Sequence, residues 1–416
     1  MNALESGRVK HLDVDSLKDV IGELVRAGCA PERMEEIATR AVFRGLRVEG
    51  LDARAALAVQ EEMLSAGGEA AVPGNALESA GSDLSVLLFG TLGDYRRLMV
   101  GLGSRGERFR PLAAALRTAL MNVEGSKPPP PVECARGRLV FGSKTYVMGI
   151  INVTPDSFYD GGKHFEIEKA LNTAVEMHEA GVDIIDVGGE SSRPGAAPAS
   201  EEEELRRTVP VIKGIRGSRA RGAIISIDTR KAVVAEKALE AGADIINDVS
   251  ALRHDAGMAK VAAESGAPVC LMHMLGTPAD MQNDPRYVTD VVFEIVSFLA
   301  ERVEYAVSRG VRRERIIIDP GIGFGKTVEH NLEILNRLRE FRVLGHPVLV
   351  GASRKSFIGK VSGLEAGERL EGSLAAAVAA AARGADVVRV HDFAETLRAV
   401  RVADAVFRKR RMVRGG

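Results

Sequence analysis

Two stretches of the sequence, HEAGVDIIDV (178–187) and LEAGADIINDV (239–249), share the pattern that decides the fold. In each, a helical segment ends in a small residue and a glycine, and an apolar run follows. Glycine just past a helix end readily adopts the left-handed conformation that turns the chain away from the helix. The pattern recurs in four further stretches, three of them with a small or charged residue before the glycine: AESGAPVCLM, SRGVRRERIIID, LGHPVLVG and ARGADVVRV. This part of the chain is therefore predicted to alternate helices with strands.

The apolar runs are continuous in Val, Ile and Leu, as expected for strands that are covered on both faces. The spacing from Asn152 to His391, which end the first and last runs, is about 34 residues per unit, a normal length for a βα repeat. Regular repetition favours a closed (β/α)8 TIM barrel, and a doubly wound open sheet is the alternative. Eight strands are predicted, at 145–152, 183–188, 224–228, 245–249, 268–274, 315–319, 347–352 and 387–391.

The composition is that of an ordinary globular protein, with 45% hydrophobic and 27% charged residues in a chain of 416. A formal net charge of −1 provides no bulk attraction for nucleic acid or an anionic membrane. Three scattered cysteines (Cys29, Cys134 and Cys270) indicate neither a disulfide framework nor a structural zinc site. Because no stretch resembles a signal peptide or a membrane span, we expect a cytoplasmic protein with no membrane or nucleic-acid partner.

Four consecutive prolines in GSKPPPPVE (125–133) indicate an extended spacer, because proline lacks a backbone donor and favours an extended chain. We therefore predict a small α/β accessory domain at 1–123, a Pro-rich linker at 124–133 and the barrel at 134–416. A regulatory or assembly role and a simple packing role for the first domain both stay open. Its predicted elements are strands at 9–14, 40–48, 70–72 and 85–90, and helices at 15–28 and 53–68.

Every predicted barrel strand ends in a polar residue, at the carboxyl end where enzymes of this fold carry their chemistry. A single polar residue at a strand end is commonly a cap or a turn former, but eight of eight are hard to explain in that way. The strand ends are Asn152, Asp186, Asp228, Asn247, His273, Asp319, Ser353 with Lys355, and Arg389 with His391. Of these, His273 is interpreted as mostly structural.

Hydrogen-bond acceptors and one amide come from three of these ends, Asp228, Asn247 and Asp319. Such a set suits a planar ligand edge with paired N–H donors, as in a pterin or guanine. A divalent metal cluster is the competing interpretation, although three carboxylate or amide groups on separate strands without histidine are not a typical metal shell.

Cationic residues form a second group, which comprises Arg193, Lys355, Arg389 and His391. The ends of the seventh and eighth strands commonly build a phosphate site in this fold, and Arg and Lys both bind phosphate oxygens. Each charge alone would be typical of a solvated surface, whereas together they predict a phosphate or diphosphate site. The stretch GIGFGK (321–326) lacks the spacing of a nucleotide-binding loop.

Eight motifs, in one order along the chain, resemble those of the dihydropteroate synthase family. They are MGIINVTPDSFYDGG, DVGGESSRPGA, SIDTRK, IINDV, PVCLMHM, IIIDPGIGFGK, VGASRKSFIG and RVHD, within 145–392. The resemblance implies condensation of 6-hydroxymethyl-7,8-dihydropterin diphosphate with p-aminobenzoate to 7,8-dihydropteroate and diphosphate. It also implies Mg²⁺ as cofactor and a homodimer. Ordinary members lack residues 1–130 and carry Thr at Ser192.

The resemblance assigns roles residue by residue. Catalysis would involve Asp186, Asp228, Lys355 and Arg193, with Asp186 also supporting the loops 153–165 and 189–199. The pterin would be held by Asp228, Asn247, Met272, Asp319, Phe324 and Lys355. The diphosphate would contact Asn152, Arg193, Arg389 and His391, with Asn152 also on the metal. The aminobenzoate would lie near Ser192, Pro194, Ser356 and Phe158.

Two other functions stay open. A methyltetrahydrofolate methyltransferase that serves a corrinoid protein shares the barrel, but it does not need Arg193, Lys355, Arg389 and His391 together. A non-catalytic pterin-binding or assembly protein would have no reason to retain all of the strand-end residues.

Overall fold

The computed structural model describes residues 9–74, 82–124, 128–153, 163–191 and 198–408. The chain divides into two compact units, Met1–Lys127 and Pro128–Gly416. In the described part of the chain, no helix is both long and apolar enough to cross a membrane.

The first unit packs helices on one small antiparallel sheet. Its middle strand, β3 (Ser82–Thr91), lies between β1 (Phe43–Asp52) and β2 (Glu69–Ala71). Its core contains Tyr95, Leu98 and Leu88, all fully buried, and the Tyr95 hydroxyl donates to the Leu88 carbonyl at 2.8 Å. The described elements are α1 (Leu17–Arg26), α2 (Pro31–Ala41), β1 (Phe43–Asp52), α3 (Ala53–Ser65), β2 (Glu69–Ala71), β3 (Ser82–Thr91), α4 (Leu92–Ser104) and α5 (Arg110–Val123).

The strand expected at 9–14 is wrong, because these residues form no strand. Val9 is 98% exposed, and a strand needs a partner whose hydrogen bonds it can share. The helices α1 and α3 confirm the two predicted ones, whereas α2 ends at Ala41 inside the segment predicted as a strand at 40–48. The helices α4 and α5 were not predicted.

The second unit begins with a short hairpin that closes the amino end of the barrel. It consists of β4 (Val132–Cys134) and β5 (Gly137–Leu139), paired antiparallel. Val132 and Leu139 are buried in one apolar cluster with Ile184 and Ile224, which lie at the starts of barrel strands. The last residues of the predicted linker, 132 and 133, therefore belong to the hairpin.

Eight parallel strands within the described residues form one sheet of order β11-β10-β9-β8-β7-β6-β13-β12. A parallel bridge between Ile318 and Val348 joins its two ends, so the sheet closes and the predicted TIM barrel is confirmed. The strands are β6 (Tyr146–Asn152), β7 (Ile184–Gly188), β8 (Ile224–Asp228), β9 (Ile245–Asp248), β10 (Val269–Met272), β11 (Ile316–Asp319), β12 (Leu349–Val350) and β13 (Val387–Val390).

The helices cover the outside of the barrel, and three of them show the capping expected from the sequence. Gly181, Gly242 and Gly266 have φ of 87°, 114° and 66° directly after α6, α8 and α9. The helices are α6 (Lys163–Ala180), α7 (Glu201–Gly217), α8 (Ala232–Ala241), α9 (Met258–Ser265), α10 (Val291–Ser308), α11 (Val328–Asn336), α12 (Ser356–Ser362), α13 (Leu370–Ala382) and α14 (Phe393–Phe407).

Strand residues alternate between the helices and the barrel interior, although the runs look continuously apolar. In β7, Ile185 and Val187 join the outer core against the helices, whereas Ile184 joins the inner cluster. Asp186 follows on the inner side, one step nearer the carboxyl end, and is fully buried. The barrel interior is therefore apolar at its amino end and polar towards its carboxyl end.

Candidate active site

The register of the sheet places four strand-end residues side by side at the carboxyl end of the barrel. Asn152 pairs with Gly188, Gly188 with Asp228, and Asp228 with Asn247. Three of these four residues, Asn152, Asp228 and Asn247, were assigned to substrate binding from the sequence. Gly188 lies between Asn152 and Asp228. A ligand above this row would meet two amides and one carboxylate.

Arg389 of β13 crosses the barrel interior to two carboxylates. Its Nε donates to Asp186 Oδ2 and its Nη2 donates to Asp228 Oδ2, both at 2.6 Å. Asn247 Nδ2 lies 3.4 Å from the same oxygen of Asp186. Since Asp186 has no exposed surface, its contribution to the site in this structure is indirect, through Arg389 and Asn247.

Asp228 differs from Asp186 because it reaches the opening of the barrel, with 12% of its side chain exposed. Burial raises the pKa of Asp228 to about 7, although the nearby Arg389 guanidinium acts to lower it. A carboxyl group with a pKa near neutrality changes its charge within the working range of most enzymes, as is typical of functional sites.

Asp319 and Lys355 form a second acid and base pair on the opposite side of the barrel opening. Burial raises the pKa of Asp319, although its Oδ1 accepts a hydrogen bond of 2.6 Å from the Gly321 N–H. Burial lowers the pKa of Lys355 to about 7, while Asp319 favours the charged form. The Lys355 ammonium donates to the Ile322 carbonyl.

Side chains from several elements fix the loop that follows β11, residues 320–326. Gly323 donates to Asn331 Oδ1 at 2.7 Å, and its carbonyl accepts from Gln282 at 2.6 Å. A Cβ on Gly321, whose φ is 68°, would lie 1.9 Å from the His273 carbonyl oxygen. The glycines of GIGFGK thus allow close backbone packing, in agreement with the conclusion that this is not a nucleotide loop.

Lys326 closes the same loop and is a residue that sequence reasoning missed. Its buried ammonium lies 2.9 Å from His273 Nδ1 and donates to the Phe324 carbonyl at 3.0 Å. Burial lowers the pKa of Lys326, and burial together with Lys326 lowers the pKa of His273. His273 also packs edge-on against Phe298 at 4.8 Å. Lys326 ends the stretch GIGFGK, which was not interpreted as a binding loop, and nothing in the sequence indicated its contact with His273.

An apolar wall stands beside the polar groups. Met272 and Phe324, both predicted to line the pterin slot, belong to one buried cluster. The Lys355 ammonium lies 4.4 Å from the centroid of the Phe324 ring, within the range of a cation–π interaction. The other members of the cluster are Val249, Met274 and Met281.

The loops after β12 and β13 are joined by two contacts. His391 Nδ1 lies 3.1 Å from the Ser353 hydroxyl, and the His391 N–H donates to that hydroxyl at 3.2 Å. Arg354, with a left-handed φ of 57°, forms a two-pronged ion pair with Asp392. Ser356 is exposed at the first position of α12. These contacts hold the segment that carries Lys355 and Ser356 beside the segment that carries His391.

An ionic cluster lies at the base of the loop after β7 and was also missed by sequence reasoning. Lys231 donates to Glu190 and, at 2.6 Å, to the buried Glu204, while Arg230 donates to Glu190 at 2.7 Å. Burial acts to raise the pKa of Glu190, but hydrogen bonds from the two cations outweigh it and lower the pKa.

Four of the predicted site residues, Phe158, Ser192, Arg193 and Pro194, lie outside the described residues.

Residues 148–391 match the sequence profile described as "Pterin binding enzyme". Dihydropteroate synthase of Escherichia coli (strain K12) is 48% identical over 271 residues, which are 65% of this chain and 95% of that protein. The chain belongs to the dihydropteroate synthase family. The resemblance drawn from its motifs is thereby confirmed.

Solved structures of dihydropteroate synthases share the barrel. The enzyme from Yersinia pestis, solved with a sulfonamide drug complex, has a TM-score of 0.63 and 43% identity over 66% of this chain and 98% of that chain. The enzyme from Xanthomonas albilineans in complex with 7,8-dihydropteroate has a TM-score of 0.60 and 42% identity, and covers 67% of this chain and 98% of that chain.

Longer relatives match the first unit as well. The probable bifunctional folylpolyglutamate synthase/dihydropteroate synthase of Haloferax volcanii is 43% identical over 398 residues, 93% of this chain. Because the second unit is about seven-tenths of the chain, this match includes most of the first unit. This chain spans about half the length of that relative, 46%. The first unit is thus shared with a dihydropteroate synthase of a longer type.

Proposed function

We propose that this chain catalyses the dihydropteroate synthase reaction, in which p-aminobenzoate displaces diphosphate from 6-hydroxymethyl-7,8-dihydropterin diphosphate. The observation that carries the proposal is the polar layer at the carboxyl end of the barrel. There, Asp228, Asn247, Asp319 and Lys355 lie around one opening, next to the apolar wall with Met272 and Phe324.

The pterin is a flat ring with an amino-pyrimidinone edge, which presents N–H donors and a carbonyl acceptor. Carboxylates accept from such donors, and an ammonium donates to the carbonyl. We assign Asp319 and Asp228 to the donors, Lys355 to an acceptor, and the amide of Asn247 to either. The ring itself would pack on Met272 and Phe324, whose apolar surfaces form the wall.

In the reaction, the bond between the pterin methylene carbon and the diphosphate oxygen breaks, and the electron pair leaves with the diphosphate. The aminobenzoate nitrogen forms the new bond to this carbon and loses a proton to solvent. Positive charge that develops on the pterin is stabilised by Asp228, which lies 2.6 Å from Arg389. No protein nucleophile takes part, so Lys355 acts as a hydrogen-bond donor and not as a Schiff base.

Cations on β13 and its neighbours would receive the leaving group. Arg389 uses two of its five N–H donors on Asp186 and Asp228, which leaves donors for diphosphate oxygens. His391 lies at the same end of β13, next to Ser353. Arg193 completes this set by resemblance.

Mg²⁺ would bind largely through the substrate. Among the described residues, no group of three or more His, Cys, Asp or Glu side chains could hold a metal ion. Mg²⁺ commonly takes only one or two protein oxygens together with substrate phosphates, and the partly exposed Asn152 at the end of β6 fits that need. When bound, the ion neutralises the charge of the departing diphosphate.

Diphosphate release is the direct test. The purified chain is incubated with the pterin diphosphate, with and without p-aminobenzoate and with and without Mg²⁺, and diphosphate and dihydropteroate are quantified. We expect release that depends on both additions, matched by dihydropteroate, and competition by a sulfonamide against p-aminobenzoate. Binding of the pterin without any aminobenzoate-dependent product would contradict the proposal and favour a non-catalytic binder. Methyl transfer from methyltetrahydrofolate to a corrinoid protein would favour the methyltransferase.

We also propose that the chain forms a homodimer and that residues 1–123 are an accessory domain. The linker 124–133 separates it from the barrel at 134–416, and the last two linker residues enter the hairpin of the second unit. The match of the first unit to the longer Haloferax volcanii protein, beyond the part shared with the Escherichia coli enzyme, supports an accessory role. Sedimentation of the chain at several concentrations tests the dimer, and a monomer at all of them would contradict it.

A further inference from the structure

The turn that follows β9 has an unusual backbone. Ala251 and Leu252 have φ values of 52° and 62°, in the left-handed region that residues other than glycine seldom adopt. Both side chains are buried in the main core of the barrel, with 0% and 3% of their surface exposed. Strain of this kind persists only where the surroundings enforce it, and it gathers at functional sites.

Asp248, at the end of β9, holds the turn from inside. Its Oδ1 accepts from the Ser250 N–H at 2.8 Å and from the Ser250 hydroxyl at 2.6 Å. Its Oδ2 accepts from the Leu252 N–H at 2.8 Å. The carboxylate is fully buried, so these hydrogen bonds replace the water that it has lost.

Arg302 of α10 holds the turn from outside. Its Nε donates to the Ala251 carbonyl at 2.8 Å, and its Nη2 donates to the Leu252 carbonyl at 3.3 Å. The side chain is 8% exposed and lies over the ring of Tyr305, 4.1 Å from the centroid. The two strained residues are therefore the ones whose carbonyls this guanidinium binds.

The turn is continuous with the pterin side of the site. Asn247 immediately precedes Asp248, and Val249 belongs to the apolar wall with Met272 and Phe324. Arg253, at the far end of the turn, donates to the Ser250 carbonyl at 3.1 Å and to the Met274 carbonyl at 2.8 Å. A shift of the turn would therefore move one amide and two members of the wall.

We propose that Arg302 is a positioning residue for pterin binding, which holds the strained turn 250–252 so that Asn247 and Val249 face the substrate. The inference rests on the proposed function of the site. Arg302 does not touch the substrate, and its effect passes through the backbone of the turn. Loss of the two hydrogen bonds from its guanidinium to the turn, here called the fork, lets the turn relax towards ordinary backbone angles. The relaxed turn weakens the binding of the pterin but not of p-aminobenzoate.

The test compares two arginines that bind backbone carbonyls on the outside of the barrel. Arg302→Met removes the fork beside the site, and Arg216→Met removes a similar contact at the amino end, where Arg216 donates to the Gly242 and Ala223 carbonyls. Affinity of the full chain for 6-hydroxymethyl-7,8-dihydropterin diphosphate is measured by calorimetry, together with the thermal midpoint. We expect both variants to lose stability, and only Arg302→Met to bind the pterin about tenfold more weakly, equivalent to about 1.4 kcal/mol.

Glycine provides a second arm, because it adopts left-handed angles without strain. Ala251→Gly in the Arg302→Met background should recover part of the lost pterin affinity. Arg302→Lys keeps the charge but not the two parallel donors, so it should bind the pterin as weakly as Arg302→Met. It replaces Arg302→Met in the test if Arg302→Met does not fold. Parent-like affinity in Arg302→Met and Arg302→Lys, or an equal loss in Arg216→Met, would overturn the inference. If the parent chain itself does not bind the pterin, the proposed function fails instead.

Discussion

The two ends of the barrel both pair a partly buried arginine with aspartate, yet they differ in how the charges are arranged. At the amino end, Arg216 pairs with Asp244 at 2.6 Å, and Asp244 also accepts from the Ile225 N–H at 2.9 Å. At the carboxyl end, one guanidinium, that of Arg389, serves two carboxylates, Asp186 and Asp228. At the amino end two guanidiniums serve one carboxylate, because Arg136 also lies 3.4 Å from Asp244. At the carboxyl end two carboxylates share one guanidinium.

This difference shows where the molecule gives up stability for function. Burial of a charge is unfavourable unless a partner and hydrogen bonds compensate for it. The apolar cluster around Ile184 and the hairpin β4–β5 shows that the barrel interior can be filled with hydrocarbon. Asp228 and Lys355, both with a pKa of about 7, lie at the other end, where the proposed pterin binding accounts for them better than packing does.

The largest effect is expected for Arg389→Met, which leaves Asp186 and Asp228 without their shared cation. Removal of one partner from a buried pair costs about 3–5 kcal/mol of stability, and loss of a preorganised donor costs about 100–1,000-fold in rate. We therefore expect kcat/KM to fall at least about 100-fold and the thermal midpoint to drop. Activity within tenfold of the parent would contradict the assignment of the proposed active site to the carboxyl end of the barrel.

A second pair of variants separates affinity from stability. Asp319→Ala should weaken pterin binding about 100-fold, because a charged hydrogen-bond partner is lost at the ligand, with a modest effect on stability. Asp244→Ala, its counterpart at the amino end, should lose about 3–5 kcal/mol of stability and keep the pterin affinity of the parent. Calorimetric titration and denaturant unfolding of both variants measure the contrast. Similar affinities in the two would refute it.

The sequence predicted the barrel well because its signals are local. Six of the eight strands are short apolar runs that follow a glycine, so 183–188 and 245–249 were placed within a residue or two of β7 and β9. The first unit was harder. VKHLDV has the pattern of a strand but no neighbour to pair with. The helix α2, which starts at Pro31, has few apolar residues and was not recognised.

The residues of the site were predictable where they end a strand, and not where a long-range contact decides their role. Asp228, Asn247 and Asp319 follow from strand position alone. The placement of Arg389 on Asp186 depends on side chains more than 200 positions apart in the chain. Arg302 and Lys326 had no signal, because only the folded chain shows what they contact. Arg302 binds backbone carbonyls of the turn after β9, and Lys326 lies beside the His273 side chain.

The pH dependence of pterin binding gives a smaller effect with a definite sign. Ionised Asp228 accepts hydrogen bonds through both oxygens, whereas protonation removes its charge and makes one oxygen a donor. Affinity should therefore fall as the pH decreases below its pKa of about 7. Lys355 donates as a cation only when it is protonated, so affinity should also fall as the pH rises above its pKa of about 7. We expect a maximum near neutrality, with a decline of up to about tenfold per pH unit on each side.

Two variants assign the limbs of that profile. Asp228→Asn should flatten the acid limb and leave the alkaline one, and Lys355→Met should do the reverse, each with weaker binding overall. Asp244→Ala, at the amino end, should keep the profile of the parent. A profile that is flat from pH 5 to 9 in the parent would show that neither group titrates in the free site.

The smallest effect is expected for removal of residues 1–127. The residues proposed for catalysis all lie in the second unit, and the Escherichia coli relative covers only 65% of this chain. We expect the pterin affinity of the shortened chain to stay within about twofold of the parent, a difference below about 0.5 kcal/mol. Titration and sedimentation of both forms measure this, and a tenfold loss of affinity would show that the first unit contributes to the site.

The most direct test of the central claim is a crystal structure of the chain with 6-hydroxymethyl-7,8-dihydropterin diphosphate. The claim predicts that the ring packs on Met272 and Phe324, with its amino-pyrimidinone edge on Asp319 and Lys355. The diphosphate should lie towards Arg389 and His391. A pterin bound elsewhere, or with its edge turned away from Asp319, would contradict it.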